Sequence, residues 1–99
     1  MILEHAELDV RSDRVEKFEA AFAEAKEIIA KSPGFCGMEL HRGVEITNRY
    51  LLLVRWERIE DHVQEFRLSP AYQEWRKLLH HFYQPMPIVH HYELVTRVK

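Results

Sequence analysis

The segment Arg49–Trp56 constrains the fold more than any other part of the chain. Read as a strand, it places Tyr50, Leu52, Val54 and Trp56 on one face and Leu51, Leu53 and Arg55 on the other. A strand that is largely apolar on both faces belongs in the middle of a sheet with cover on each side. One layer of helices covers one face, so the other must meet water or another molecule.

The remaining periodicities supply one sheet and one helical layer. Ile2 to Val10 alternates, with Ile2, Ala6, Leu8 and Val10 on one side, which Glu4 interrupts, and Leu3, His5, Glu7 and Asp9 on the other. Val15, Phe18, Phe22, Ala25 and Ile29 form one stripe of a helix. Asp13 and Glu16 have the spacing of a capping pair at its start, and Pro33-Gly34 ends it near Ser32. Phe35–Arg42 and Arg49–Trp56 make a hairpin around Gly43–Asn48. Ile59, His62, Val63 and Phe66 mark a short helix. Ser69-Pro70 restarts the chain with a cap and a proline at the first helical position, and Tyr72, Trp75, Leu79 and Phe82 follow as an aromatic-rich stripe. After Pro85 and Pro87, Ile88 to Val98 alternates as a closing strand. This order predicts an α+β, ferredoxin-like βαββαβ fold with the second helix broken in two and an antiparallel sheet, in one domain spanning 1–99. By parity Leu3, Phe35, Leu51, Leu53, Val89 and Val95 point away from the helices. The sheet of a second copy is the economical cover, predicting a homodimer.

Composition narrows the class of partner. With 46% hydrophobic and 30% charged residues the chain reads as soluble and folded almost throughout. A formal charge of −2 supplies no positive field for nucleic acid. Tyr50 to Val54, the longest run of aliphatic and aromatic residues, is far too short for a membrane span. The start Met1-Ile2-Leu3-Glu4-His5 lacks the pattern of a signal peptide, and a cytoplasmic protein is expected. Cys36 is the single cysteine and reads as a small buried hydrophobe near Phe35 and Met38.

Seven histidines raise the question of a metal, and their spacing argues for none. His90 and His91 point to opposite faces of a strand, His80 and His81 diverge on a helix, and no pair has chelating spacing on one helix face. By parity His90 shares the helix-covered side with Ile88, Tyr92 and Leu94, toward which Glu4 also points. A carboxylate and an imidazole under a helical cover make an acid–base pair, or else two hydrogen-bonded groups at the end of a core. His80, near Trp75, Phe82 and Tyr83, is the other candidate base. Trp75, Phe66, Tyr72 and Phe82 serve equally as core or as pocket wall. His5, His41 and His91 fall on the outer face with Glu7, Glu39, Glu93 and Arg55, where a dimer would require them to pair. Glu57–Asp61 reads as a solvated helix start.

An ordered set of segments carries a resemblance: Ala6-Glu7-Leu8-Asp9-Val10, Ser32-Pro33-Gly34-Phe35, Leu52-Leu53-Val54-Arg55-Trp56-Glu57, and Phe66-Arg67-Leu68-Ser69-Pro70-Ala71-Tyr72-Gln73-Glu74-Trp75. With these the chain resembles the antibiotic-biosynthesis monooxygenase family of dimeric α/β barrels. The resemblance implies two subunits packed sheet on sheet, with a substrate pocket between sheet and helices. Some members oxidise polycyclic phenols with molecular oxygen and neither metal nor flavin, some degrade heme, and others have no assigned activity. At the Asn, Trp and His positions of the heme-degrading branch this chain has Ala6, Phe66 and Arg76, so that chemistry is not implied. What is implied is a cofactor-independent monooxygenase acting on a small electron-rich aromatic or quinol. His90 or His80 would be the base, Glu4 its orienter, and Trp75, Phe66, Tyr92, Tyr72 and Phe82 the walls. The alternative is a non-catalytic dimeric ligand-binding or stress-associated module of the same fold. Titratable groups converging in the pocket would favour the enzyme; an apolar cavity would favour the module.

Overall fold

The computed structural model describes residues 1–99. Strands β1 (Ile2–Asp9), β2 (Phe35–Arg42), β3 (Arg49–Trp56) and β4 (Val89–Glu93) form one antiparallel sheet in the order β2-β3-β1-β4. Helix α1 (Val15–Ile29), a π-helical turn (Asp61–Phe66) and helix α2 (Pro70–Leu79) accompany it. The architecture is the expected ferredoxin-like βαββαβ, with β3 and β1 central and the second helical region in two pieces. No helix is long and apolar enough to cross a membrane.

The core lies between the helices and one face of the sheet. Phe18, Phe22, Ala25 and Ile29 of α1 are buried as one stripe, against Tyr50, Leu52, Val54 and Trp56 of β3 and Ala6 and Leu8 of β1. The Phe18 ring sits among those of Tyr50, Phe82, Phe22 and Tyr83, at centroid distances of 4.9, 5.8, 6.0 and 6.3 Å. Each large apolar side chain buried here is worth about 1.5–3 kcal/mol, which makes this stripe the main support of α1. Asp13 and Glu16 make no cap. The chain enters α1 through a 3₁₀ turn, Ser12–Arg14, in which the Arg14 N–H donates to the Arg11 carbonyl at 2.9 Å. Ser69 does cap α2: its hydroxyl accepts from the Tyr72 N–H at 3.2 Å and donates to the Phe66 carbonyl at 2.6 Å, with Pro70 in the first turn. That one hydroxyl ties the π-helical turn to α2.

The structure corrects several parities. A bulge between Phe35 and Gly37 adds a residue to β2. Phe35 consequently turns inward, onto Trp56 at 6.0 Å, and Cys36 is exposed rather than buried. In β4, Val89 lies opposite Ala6 and His91 opposite Glu4. Directly opposed residues share a face, so Val89 and His91 turn to the helices, whereas His90, opposite His5, and Tyr92, opposite Leu3, turn away. Ile88 and Leu94 are exposed, and the strand ends at Glu93 rather than continuing to Val98. The outer face therefore carries Leu3, Leu51 and Leu53, all half-buried, with the His5 ring edge-on to Tyr92 at 5.6 Å.

Asp61 is buried, not solvated. Its carboxylate accepts from the Arg58 backbone N–H at 3.0 Å and from the Arg58 guanidinium at 3.1 Å. It packs against Gly34, where φ is +81° and an added Cβ would collide with the Asp61 carboxylate. Gly34→Ala should therefore destabilise the fold by about 2 kcal/mol or more, combining left-handed strain with a clash against a side chain that has no room to leave. A lower urea midpoint at unchanged m-value checks this.

Candidate active site

Four side chains from four elements meet beneath the helical layer. Glu4 projects inward from β1, Trp56 closes β3, His62 comes from the π-helical turn, and His91 stands opposite Glu4 on β4. A π-helical turn holds more residues than an α-turn, and this one carries Asp61, His62 and Phe66 inward together. The Trp56 indole Nε1–H donates to Glu4 Oε1 at 2.9 Å. His62 Nε2 lies 3.3 Å from the same oxygen, and its imidazole stacks on the Trp56 ring at 5.5 Å and 19°. His62 Nδ1 is 2.8 Å from His91 Nε2. Glu4 and His62 are 6% and 4% exposed, so neither can rely on water for its charge.

Burial sets the protonation of this group. It raises the Glu4 carboxyl to about 7, although the Trp56 N–H and the Arg67 charge both pull it down. It lowers His62 to about 3, assisted by Arg67 and His91. His80 is lowered by burial, then by Arg76 and Arg67; His91 by burial, then by Arg67 and His90. The Tyr83 phenol is pushed up by burial and stays protonated. Near neutrality the site thus holds uncharged imidazole at His62, a carboxyl poised between its two forms, and one permanent positive charge. That charge, on the exposed Arg67, makes no ion pair within 4 Å but acts on Glu4 and His62 from farther off.

A cavity of about 50 Å³ adjoins these groups, bounded by Glu4, His62, Arg67, Trp75, His80 and Tyr83 with apolar residues of β1 and β3. Phe66, Tyr72 and Val89 also line it. Of the residues singled out from sequence, the structure brings Glu4, His80, Trp75, Phe66 and Tyr72 to this cavity. Phe82 is instead packed in the core against Phe18, and His90 and Tyr92 lie on the opposite face of the sheet from Glu4. His80 packs edge-on to Tyr72 at 5.9 Å and beside Tyr83 at 5.7 Å. The sequence pattern shows His62 only as part of a helical stripe, and strand parity assigns His91 to the outer face, whereas the structure turns both inward. A signal for His62 was present: it is the one polar residue of the stripe Ile59, His62, Val63, Phe66.

A sheet with a helical layer, a small cavity between them and a buried titratable group at its wall define a compact α+β scaffold with an enclosed site. Comparison with known proteins agrees. The model of the antibiotic biosynthesis monooxygenase family matches residues 1–78, and the chain belongs to that family. An uncharacterized protein of Bacillus subtilis, YczJ, is 44% identical over 93 residues, spanning 94% of this chain and 98% of its own. A crystal structure from Bordetella bronchiseptica, provisionally described as an antibiotic biosynthesis monooxygenase, superposes with a TM-score of 0.92 at 39% identity, over 96% of this chain and 97% of its own. A variant of SnoaB, a cofactor-independent oxygenase from Streptomyces nogalater, shares the fold at a TM-score of 0.72 and 19% identity, covering 99% of this chain and 94% of its own.

The raised Glu4 pKa has a consequence for stability. Its folded value lies above its unfolded value of 4.5, so its contribution is full below pH 4.5 and is lost as pH rises through about 7, by about 3 kcal/mol. His62 acts oppositely: its folded pKa is depressed, and stability is lost as pH falls from 6.5 toward about 3. Glu4→Gln keeps an oxygen for the Trp56 N–H and removes the charge. The variant should be more stable than wild type at pH 8, by up to about 3 kcal/mol, and the advantage should vanish by pH 4. Urea melts across this range measure both.

Proposed function

We propose that this chain is a cofactor-independent monooxygenase that oxidises a small electron-rich aromatic, such as a quinol, with Glu4 as the pocket base. The observation that carries the reading is the Glu4 carboxyl, buried at the cavity wall and poised near neutral pH. A general base works best when its pKa lies near the operating pH, and an exposed carboxylate would be too weak. Glu4 Oε1 is engaged by Trp56 and approached by His62, which leaves Oε2 for a substrate hydroxyl. Titratable groups thus do converge at the cavity, as the enzymatic alternative requires.

The chemistry follows from charge. Glu4 takes the proton of a hydroquinone hydroxyl, and the resulting anion gives up an electron to dioxygen far more readily than the neutral quinol. Dioxygen then bonds to a ring carbon; the O–O bond breaks, one oxygen atom stays on the ring and the other leaves as water, with Glu4 returning its proton. Hydroquinone and dioxygen become hydroxyquinone and water, in balance. Arg67, the uncompensated cation at the wall, stabilises the anion where it forms. The substrate ring needs more room than the present cavity of about 50 Å³, which, at about 10–15 Å³ of such space per water, holds only a few waters. Its docking must therefore displace wall residues such as Tyr72, His80 or Pro87.

Oxygen uptake with a panel of quinols, on protein free of flavin and metal, tests the proposal. Glu4→Gln should lower kcat by about a hundredfold or more. His80→Ala should have a smaller effect, and His90→Ala, across the sheet, almost none. Wild-type protein with no uptake above buffer would put the binding module ahead.

The proposal includes a homodimer through the outer sheet face, where Leu3, Leu51 and Leu53 flank Tyr92, itself half exposed. Leu53→Arg places an unpaired charge in that contact and should give monomer or insoluble protein by sedimentation. A dimer of normal stability would place the interface elsewhere.

A further inference from the structure

We propose that His62 and His91 are a proton path joining Glu4 to solvent at the β4 edge of the sheet, separate from the opening through which substrate reaches the cavity. The proposal rests on the reading of Glu4 as base and extends it. A base that is part protonated at neutral pH has to lose its proton before it can accept another. Once substrate fills the cavity, water cannot reach the carboxyl from that side.

The geometry supplies a second side. Trp56 Nε1–H donates to Glu4 Oε1 but has no lone pair with which to accept, so it fixes the carboxyl and ends the chain of bonds there. His62 Nε2, 3.3 Å from the same oxygen, and His62 Nδ1, 2.8 Å from His91 Nε2, put one imidazole in line between two partners. An imidazole can take a proton at one nitrogen while releasing the other nitrogen's proton. His91 sits on β4, which is the edge strand in the order β2-β3-β1-β4, and it is half-buried, so its ring reaches the outside. His91 does not line the cavity.

The transfer balances with every ring neutral at start and finish. The Glu4 O–H proton moves to His62 Nε2, the His62 Nδ1 proton moves to His91 Nε2, and the His91 Nδ1 proton moves to water. Glu4 is left as carboxylate and the two rings have exchanged tautomers; before a second outward transfer each ring has to turn or exchange its N–H proton with water, whereas the reverse sequence carries a proton back to Glu4. Burial and the Arg67 charge keep His62 from holding a positive charge, which suits passage of a proton and not its storage. The other titratable groups around Glu4 are His80 and Tyr83 across the cavity, and neither joins this line of contacts.

The test reads Glu4 itself. After a pH jump from 6 to 8, the loss of the Glu4 carboxyl infrared band, assigned by its absence in Glu4→Gln, is timed anaerobically with and without saturating hydroquinone. With hydroquinone present, His91→Phe and His62→Phe should slow the loss by about tenfold or more, and free imidazole should restore the His91→Phe rate. In turnover at pH 6, where most Glu4 starts protonated, His91→Phe should lower kcat without changing KM, since His91 does not line the cavity; at pH 8, where Glu4 starts as carboxylate and recycles its own proton, kcat should be unchanged. His91→Gln, at a half-exposed edge position, guards against a folding failure of His62→Phe. Unchanged rates in both His91 variants would overturn the proton path. Slowed rates in a protein that consumes no oxygen would keep the path and discard the oxygenase reading.

Discussion

A carboxyl group buried under a helical layer must be neutral or bonded, and the arrangement around β1 answers that requirement in both ways. Glu4 stands in the middle of a strand whose other inward residues, Ala6 and Leu8, are core. It persists there because Trp56, the last residue of β3, turns its indole N–H toward it, and because burial makes the protonated form accessible at neutral pH. The cost falls on stability at alkaline pH. Trp56 is held in turn between Phe35, His62 and Phe66, so the bond that fixes Glu4 depends on the bulge in β2 and on the π-helical turn. Two local irregularities of the backbone thus serve one polar contact.

Much of this was legible in the sequence, and the failures have physical causes. Strand β3 and helix α2 follow their periodicities and turn signals because each buries one regular face. Glu4 was visible as a polar interruption of an apolar alternation. The inward placement of Phe35 was not, because one bulged residue inverts parity and leaves no signal that ordinary strand residues lack. His90 and His91 were exchanged for a related reason. The exposed Ile88 and Leu94 look like core residues, and only the pairing with β1 decides which neighbour of a histidine pair faces the helices. His62 was hidden by assuming an α-helical period through a segment that is wound more widely.

Family membership and the particular site are separate facts about this chain. The fold is shared with proteins below 20% identity, and such likeness does not carry a constellation of side chains with it. Here the cavity combines one poised acid, neutral imidazoles and an uncompensated guanidinium. The two faces of the sheet differ as well, with Glu4, His62 and His91 under the helices and Leu3, Leu51 and Leu53 on the other side.

The π-helical turn also bears on how such a site can arise and vanish. Successive residues of an α-helix are turned by about 100°, so removing a single residue from Asp61–Phe66 would swing His62 off Trp56 while leaving the flanking helices in register with the sheet. The imidazole depends on segment length as much as on residue type. A site of this kind is therefore marked by the number of residues between the end of β3 and the Ser69-Pro70 that opens α2 as much as by the histidine itself.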